Sequence, residues 1–245
     1  MHFFRRLAIS AGVSVSVMTA LTVVSVAAAG GFGSGAGRFT YTDTNANASF
    51  FNPDDYSSVS ISADHSLYMV RPRGQVGATA QEMTVLSIYV FVPNADPNQP
   101  PLELYGCFVI PDSDLVVSKN LNTATLDATV NESDQCDGFI SPIGAGPAKG
   151  GGGGFTYPLT VTGTWTGTGV TAMSTDQGVF TCGGFVSSTH SHTSSQFSSS
   201  VTVSISGAGT FSGGAPNAFG NVSVGSFAVN VTGTGILPSA CGGKA

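Results

Sequence analysis

The stretch Leu159-Thr160-Val161-Thr162-Gly163-Thr164-Trp165-Thr166-Gly167-Thr168-Gly169-Val170 decides the fold. Threonine takes every even position from 160 to 168, and the odd positions carry Leu159, Val161, Gly163, Trp165, Gly167 and Gly169. A strict period of two sends alternate side chains to opposite faces, the pattern of a half-buried β-strand. Threonine is β-branched and suits the wetted face. The other face holds the single tryptophan of the chain, and Gly163 and Gly167 beside it are expected to leave room for the indole.

Working outward, Leu121–Val130 alternates in the same way. Ala124, Leu126, Ala128 and Val130 share one face, and Thr123, Thr125, Asp127 and Thr129 the other. Paired antiparallel, the two stretches would align threonine rows outside and set small alanines against Trp165 inside. Met83–Val92 is apolar on both faces, which predicts a central strand covered on both sides. Shorter extended segments are expected at Phe39–Tyr41, Ala46–Phe51, Val59–Ser62, Leu67–Val70, Glu103–Ile110, Leu115–Val117, Val179–Val186, Phe197–Ile205 and Asn221–Val231. No segment after the leader shows apolar residues at helical spacing between caps. The expected fold class is all-β, an antiparallel β-sandwich of about nine to eleven strands with long loops.

The amino terminus reads as an address. Arg5 and Arg6 precede an apolar run, and Ala27-Ala28-Ala29 offers small residues before Gly30, so residues 1–29 are expected to be a cleaved secretory signal peptide. Residues 30–37 form a glycine-rich leader. Residues 38–245 are expected to form a single β-sandwich domain, the alternative being two β domains split at the glycine-rich 145–154. No stable membrane anchor is expected after cleavage.

Acidic residues outnumber basic ones fourteen to eight, giving a formal net charge of −6. That balance repels phosphate backbones and excludes nucleic acid as the expected partner. Charged residues make up only 9% of the chain while apolar ones reach 41%, which separates it from disordered compositions. All four cysteines, Cys107, Cys136, Cys182 and Cys241, follow the leader. An even count in an exported chain reads as two disulfides, and proximity favours Cys107–Cys136 and Cys182–Cys241 among the three pairings. Zinc held by cysteines would need closer spacing.

Residues that carry chemistry are sparse. His190 and His192 sit two apart, so on a strand they face one way and are the candidate metal ligands; the plainer alternative is a solvated Ser/His loop or edge. Asp43-x-Asn45-x-Asn47 resembles the first positions of a calcium loop, with Asp54 at the twelfth, but Ala48 stands where that loop needs glycine. No G-x-S-x-G nucleophile elbow is present. The glycine run Gly150–Gly154 lacks the Lys-Ser/Thr of a phosphate loop. A glycosidase would need paired carboxylates in a cleft with exposed aromatics. The threonine rows allow an ice-lattice match, although ordinary twisted sheets also carry threonine outside. Phe197–Ser206, apolar on one side and Ser/Thr on the other, resembles the amphipathic hairpins that pore-forming toxins insert. The reading that fits most of this is an exported, non-catalytic protein with a binding, adhesive or structural role toward an unknown extracellular ligand or surface. No catalytic or cofactor residues are assigned, and calcium is the only cofactor entertained. The alternatives are a secreted carbohydrate-active enzyme and a membrane-inserting β protein.

Overall fold

The computed structural model of the chain describes residues 37–72, 79–96, 98–136, 157–214 and 222–234. The leader and the residues around Lys149 and Cys241 lie outside them, so the cleavage site, the glycine-rich segment and the Cys182–Cys241 pairing do too. Within the described residues the protein is all-β: β1 (Gly37–Phe51), β2 (Ser58–Pro72), β3 (Thr79–Val92), β4 (Leu102–Ile110), β5 (Leu115–Val117), β6 (Thr123–Val130), β7 (Leu159–Cys182), β8 (Phe185–Ile205), β9 (Gly209–Gly213) and β10 (Ser223–Thr234). Two three-residue 3-10 turns, at Asp112–Asp114 and Glu132–Asp134, are the helical elements among these residues. None of the described helices is long and apolar enough to cross a membrane.

Every pairing is antiparallel, in the order β4-β3-β2-β1-β10-β8-β7-β6-β5, with β9 alongside the end of β8. The sheet doubles over on itself. Strand β5 touches β1 and β2, and β6 touches β4, although none of these pairs is hydrogen-bonded as neighbours. One apolar core fills the fold between the layers, built from residues such as Ile61, Leu86 and Phe108 on one side and Leu126, Trp165 and Val203 on the other.

The pairing read from the threonine stretches is present. Ala124 stands opposite Trp165, Ala128 opposite Val161, and Thr125 opposite Thr164. The hydroxyl face continues across β8 and β9, in rows such as Thr125–Thr164–Thr202–Ser212. Gly163 yields to the indole as expected, because a Cβ there would lie 2.5 Å from the Trp165 ring. Gly167 does not. It yields to Gln196, a fully buried side chain that accepts from the Gly169 N–H at 3.2 Å and donates to Thr171 at 3.2 Å. Here the β7–β8 register shifts between Thr166 and Thr171, and Gly169 takes φ +81°, so the amide of Gln196 replaces ladder bonds that the bulge breaks.

Several short segments of the sequence reading are parts of longer strands. Phe39–Tyr41 and Ala46–Phe51 fuse into β1, and Val59–Ser62 and Leu67–Val70 into β2. The reason lies in β1, where the buried face changes along the strand. Phe39 and Tyr41 are buried on the odd face, and Ala46 and Ala48 on the even one. The first pair joins a second apolar cluster with Val229 and Val231, while the alanines enter the main core. A strand that changes its buried face loses its alternation at the crossover while its backbone pairing runs on. Val179–Val186 is not one strand but a hairpin tip. Gly183 and Gly184 have φ +56° and +87°, the two left-handed residues of a type I′ turn. The Ser/His-rich segment before Phe197 is strand, paired with β7 on one side and β10 on the other.

Cys107 on β4 and Cys136 form a disulfide, with Cα atoms 5.4 Å apart. Disulfides of this kind persist in oxidising compartments. Cys182 is also disulfide-bonded.

Candidate functional site

Three arrangements of polar or unpaired groups stand out, two on opposite faces of the β1–β3 region and one at the edge of β7. The first arises at the face change of β1. Asp43, Asn45 and Asn47 follow Tyr41 on the odd face, and β2 sets Ser66, Asp64 and Ser62 opposite them in register. Asn45 Nδ2 donates to Asp43 Oδ2 at 3.2 Å, and Asn47 Nδ2 donates to Asn45 Oδ1 at 3.0 Å. Ser66 donates to Asp43 Oδ1 at 3.0 Å and contacts the Tyr41 hydroxyl at 3.1 Å. Gly225 on β10 keeps the space above this ladder open, because a Cβ there would meet Asn45 Oδ1 at 2.7 Å.

Proton counting gives the ladder a direction. Ser62 Oγ lies 2.6 Å from Asn47 Oδ1 and 2.7 Å from Asp64 Oδ2, yet a hydroxyl has one proton to give. The Asn47 amide is oriented by its donation to Asn45, so its oxygen must accept from Ser62. The Asp64 contact is then satisfied when Asp64 is protonated and donates to Ser62. Burial pushes Asp64 up to about 7, and the Asp43 charge adds to the shift. Burial also raises Asp43, against the hydrogen bonds from Asn45 and Ser66. The hydrogen bonds favour a proton on Asp64, while Asp43 accepts from both Asn45 and Ser66. Burial together with the Asp43 charge raises the Tyr41 and Tyr68 hydroxyls.

The second arrangement lies on the other face, one residue along β2. His65 Nε2 is 3.1 Å from Glu82 Oε1, and His65 Nδ1 is 2.8 Å from Thr84 Oγ1. Thr84 is fully buried and its hydroxyl donates to Asp112 Oδ1 at 2.6 Å. Asp112 Oδ1 is 3.6 Å from His65 Nδ1. His65, Glu82 and Asp112 come from β2, β3 and the turn between β4 and β5, so no local sequence pattern joins them. The readable signal is only that His65 and Glu82 fall within strands composed mostly of apolar and hydroxyl residues.

The residues singled out by sequence are arranged differently. His190 and His192 share a face of β8, but His192 is bonded through its two ring nitrogens to Thr175 at 3.3 Å and Ser194 at 3.0 Å. Among the described residues, the group of three potential metal ligands is His65, Glu82 and Asp112. The calcium-loop resemblance is corrected by β1. Asp43, Asn45 and Asn47 lie on one continuous strand that ends at Phe51, and at about 3.3 Å per residue Asp54 is roughly 25 Å or more away along the chain. A calcium loop must instead curl its first and twelfth positions around one ion.

The third arrangement is an edge. Strand β6 pairs with β7 only over Leu159–Thr166. From Thr171 to Cys182, β7 pairs with β8 on one side and, among the described residues, with no strand on the other. Residues 170–179 are exposed on both faces, with Val170, Met173 and Val179 each 70% exposed or more. Asp176 is the one charge in that run. By contrast, the apolar face of the segment that resembles a toxin hairpin, Val201, Val203 and Ile205, is packed in the main core, and Phe197 stands outside it.

Comparison with known proteins adds little to this geometry. No family model matches the chain, and no curated protein matches it. Among solved structures it is similar to the enduracididine biosynthesis enzyme MppR, complexed with the condensation product of pyruvate and imidazole 4-carboxaldehyde, at 9% identity over 82% of this chain and 87% of that one. The TM-score is 0.21, too low for the likeness to bear on fold or function.

Proposed function

We propose that this is an exported, non-catalytic protein, extracellular or periplasmic, that acts by binding, adhesive contact or structural assembly. The observation that carries the reading is the outer edge of β7. A long edge strand with unpaired N–H and C=O groups is a template for another strand. Natural proteins blunt such edges with lysines, prolines or covering segments, and Thr171–Val179 carries neither residue type. Exposed Val170, Met173 and Val179 supply apolar side chains beside backbone that, among the described residues, pairs with no strand on its outer side. The Cys107–Cys136 disulfide suits an oxidising location, and the acidic balance opposes nucleic acid as a partner.

The test compares the mature protein with a Met173→Lys/Val179→Lys variant, by light scattering for self-association and on a glycan array for ligand binding. Binding or assembly in the wild type that the charged edge abolishes supports the reading. Wild type that stays monomeric and captures nothing sinks it.

A second reading, a carbohydrate-active enzyme, is favoured by one observation: Asp43 and Asp64 are neighbouring carboxyls with raised pKa values beside Tyr41 and Tyr68. Turnover on the array that disappears in Asp64→Asn and survives the edge variant would replace the binding reading with this one.

A further inference from the structure

The hydrogen bonds around His65 set two acceptor atoms against each other unless a proton or a metal ion stands between them. Thr84 holds one hydroxyl proton, and the Asp112 carboxylate at 2.6 Å can only accept it. Thr84 Oγ1 must therefore accept from His65 Nδ1, 2.8 Å away, and that nitrogen carries a proton. In a neutral ring the lone pair is then on Nε2, and Nε2 faces Glu82 Oε1 at 3.1 Å. Two acceptors directed at each other repel unless a proton or a metal ion stands between them.

We propose that His65 Nε2 and Glu82, with Asp112 as the third ligand, form a binding site for a divalent transition cation of the Zn2+ class. Two ligands bound to a tetrahedral zinc at about 2.0–2.1 Å stand roughly 3.3 Å apart, close to the His65–Glu82 separation. One ligand atom from each of the three residues lies within 4.8 Å of the others, and Asp112 Oδ1 stands on the Nδ1 side of the ring at 3.6 Å, so its carboxylate must turn toward Nε2 to complete the set. Glu82 and Asp112 are about half exposed, which leaves open positions for water or for a partner's ligand. The ring is already oriented. The hydrogen bond from Nδ1 to buried Thr84, itself tied to Asp112, is the kind of outer contact that fixes tautomer and plane in histidine–metal sites. Imidazole with carboxylates suits zinc and its neighbours, whereas calcium prefers an all-oxygen set. Bound metal would tie β2, β3 and the β4–β5 turn together on the face opposite the Asp43–Asp64 ladder.

The experiment uses the untagged mature chain, stripped with chelator, titrated with Zn2+ alone by calorimetry near pH 7.5. One equivalent is expected to bind with a dissociation constant below about 10 μM, corresponding to a favourable free energy of roughly 7 kcal/mol. Glu82→Gln, at an exposed position that keeps the fold, should weaken binding at least about tenfold, and His65→Ala should abolish it. The His190→Ala/His192→Ala double variant should bind like wild type, and Ca2+ should not compete. Affinity weaker than about 1 mM in the wild type, or binding unchanged in Glu82→Gln, overturns the proposal and leaves a proton as the shared cation.

Discussion

The indole N–H of Trp165 donates to the backbone carbonyl of Asn47 at 2.9 Å, between residues 118 apart in sequence. Asn47 is the last residue of β1 to pair with β10, so this bond reaches the margin of that ladder from the facing layer. Trp165→Phe keeps most of the apolar contact but removes this donor from the Asn47 carbonyl and leaves a gap beside Gly163. The expected loss is about 2–3 kcal/mol of unfolding free energy, read from urea melts followed by far-ultraviolet circular dichroism. A loss under about 0.5 kcal/mol would mean that water replaces the indole N–H.

Ser198 offers the opposite sign. It is fully buried, and its hydroxyl has no hydrogen-bond partner among the described residues. Removing an unsatisfied hydroxyl recovers its desolvation cost, so Ser198→Ala should raise stability by about 1 kcal/mol, seen as a higher melting temperature.

The Asp64 carboxyl makes stability depend on pH. Its folded value, about 7, lies above its ordinary 3.8, so the folded state binds the proton more tightly than the unfolded state. The contribution is fully present below about pH 4 and is lost as pH rises through about 7. The lowered surface groups Asp55 and Asp134, held by local hydrogen bonds, act only below that window. Asp64→Asn retains a donor for Ser62 without the charge. The variant should gain on wild type in melting temperature between pH 5 and pH 8. A parallel decline in both proteins would remove Asp64 as the cause.

Cys182 ends β7 at the hairpin tip, and Thr234, the last residue of β10, pairs with Val186 just past that tip. Strand β10 therefore ends close to Cys182. Non-reducing peptide mapping is expected to recover Cys182 joined to Cys241, and a Cys136–Cys182 peptide would contradict both pairings.

Domain count has a clean readout because the chain has one tryptophan. Trp165 reports the β6–β7 side of the core, while circular dichroism reports every strand. A single domain predicts coincident transitions by the two signals in urea. Separate midpoints would favour the two-domain division at 145–154.

The sequence alone determined the all-β class, the pairing of the two threonine stretches and the fit of Trp165 against Gly163. These follow from alternation that runs within one strand and from side-chain volumes that must sum across a pair. The tertiary structure decided the rest, for identifiable reasons. The full lengths of β1 and β2 were hidden because the buried face changes near Asp43, which erases the periodic signal while the backbone bonds continue. The run from Ser187 to Gln196 was hidden because hydroxyl side chains do not mark a face. Gly167 was assigned to the wrong neighbour because Gln196 enters from another strand through a register shift. The His65 cluster depends on three elements meeting, and the proton position at Asp64 on a hydrogen-bond chain across β1 and β2. A linear pattern records which side of its own strand a residue takes, but only the folded sheet decides what stands opposite.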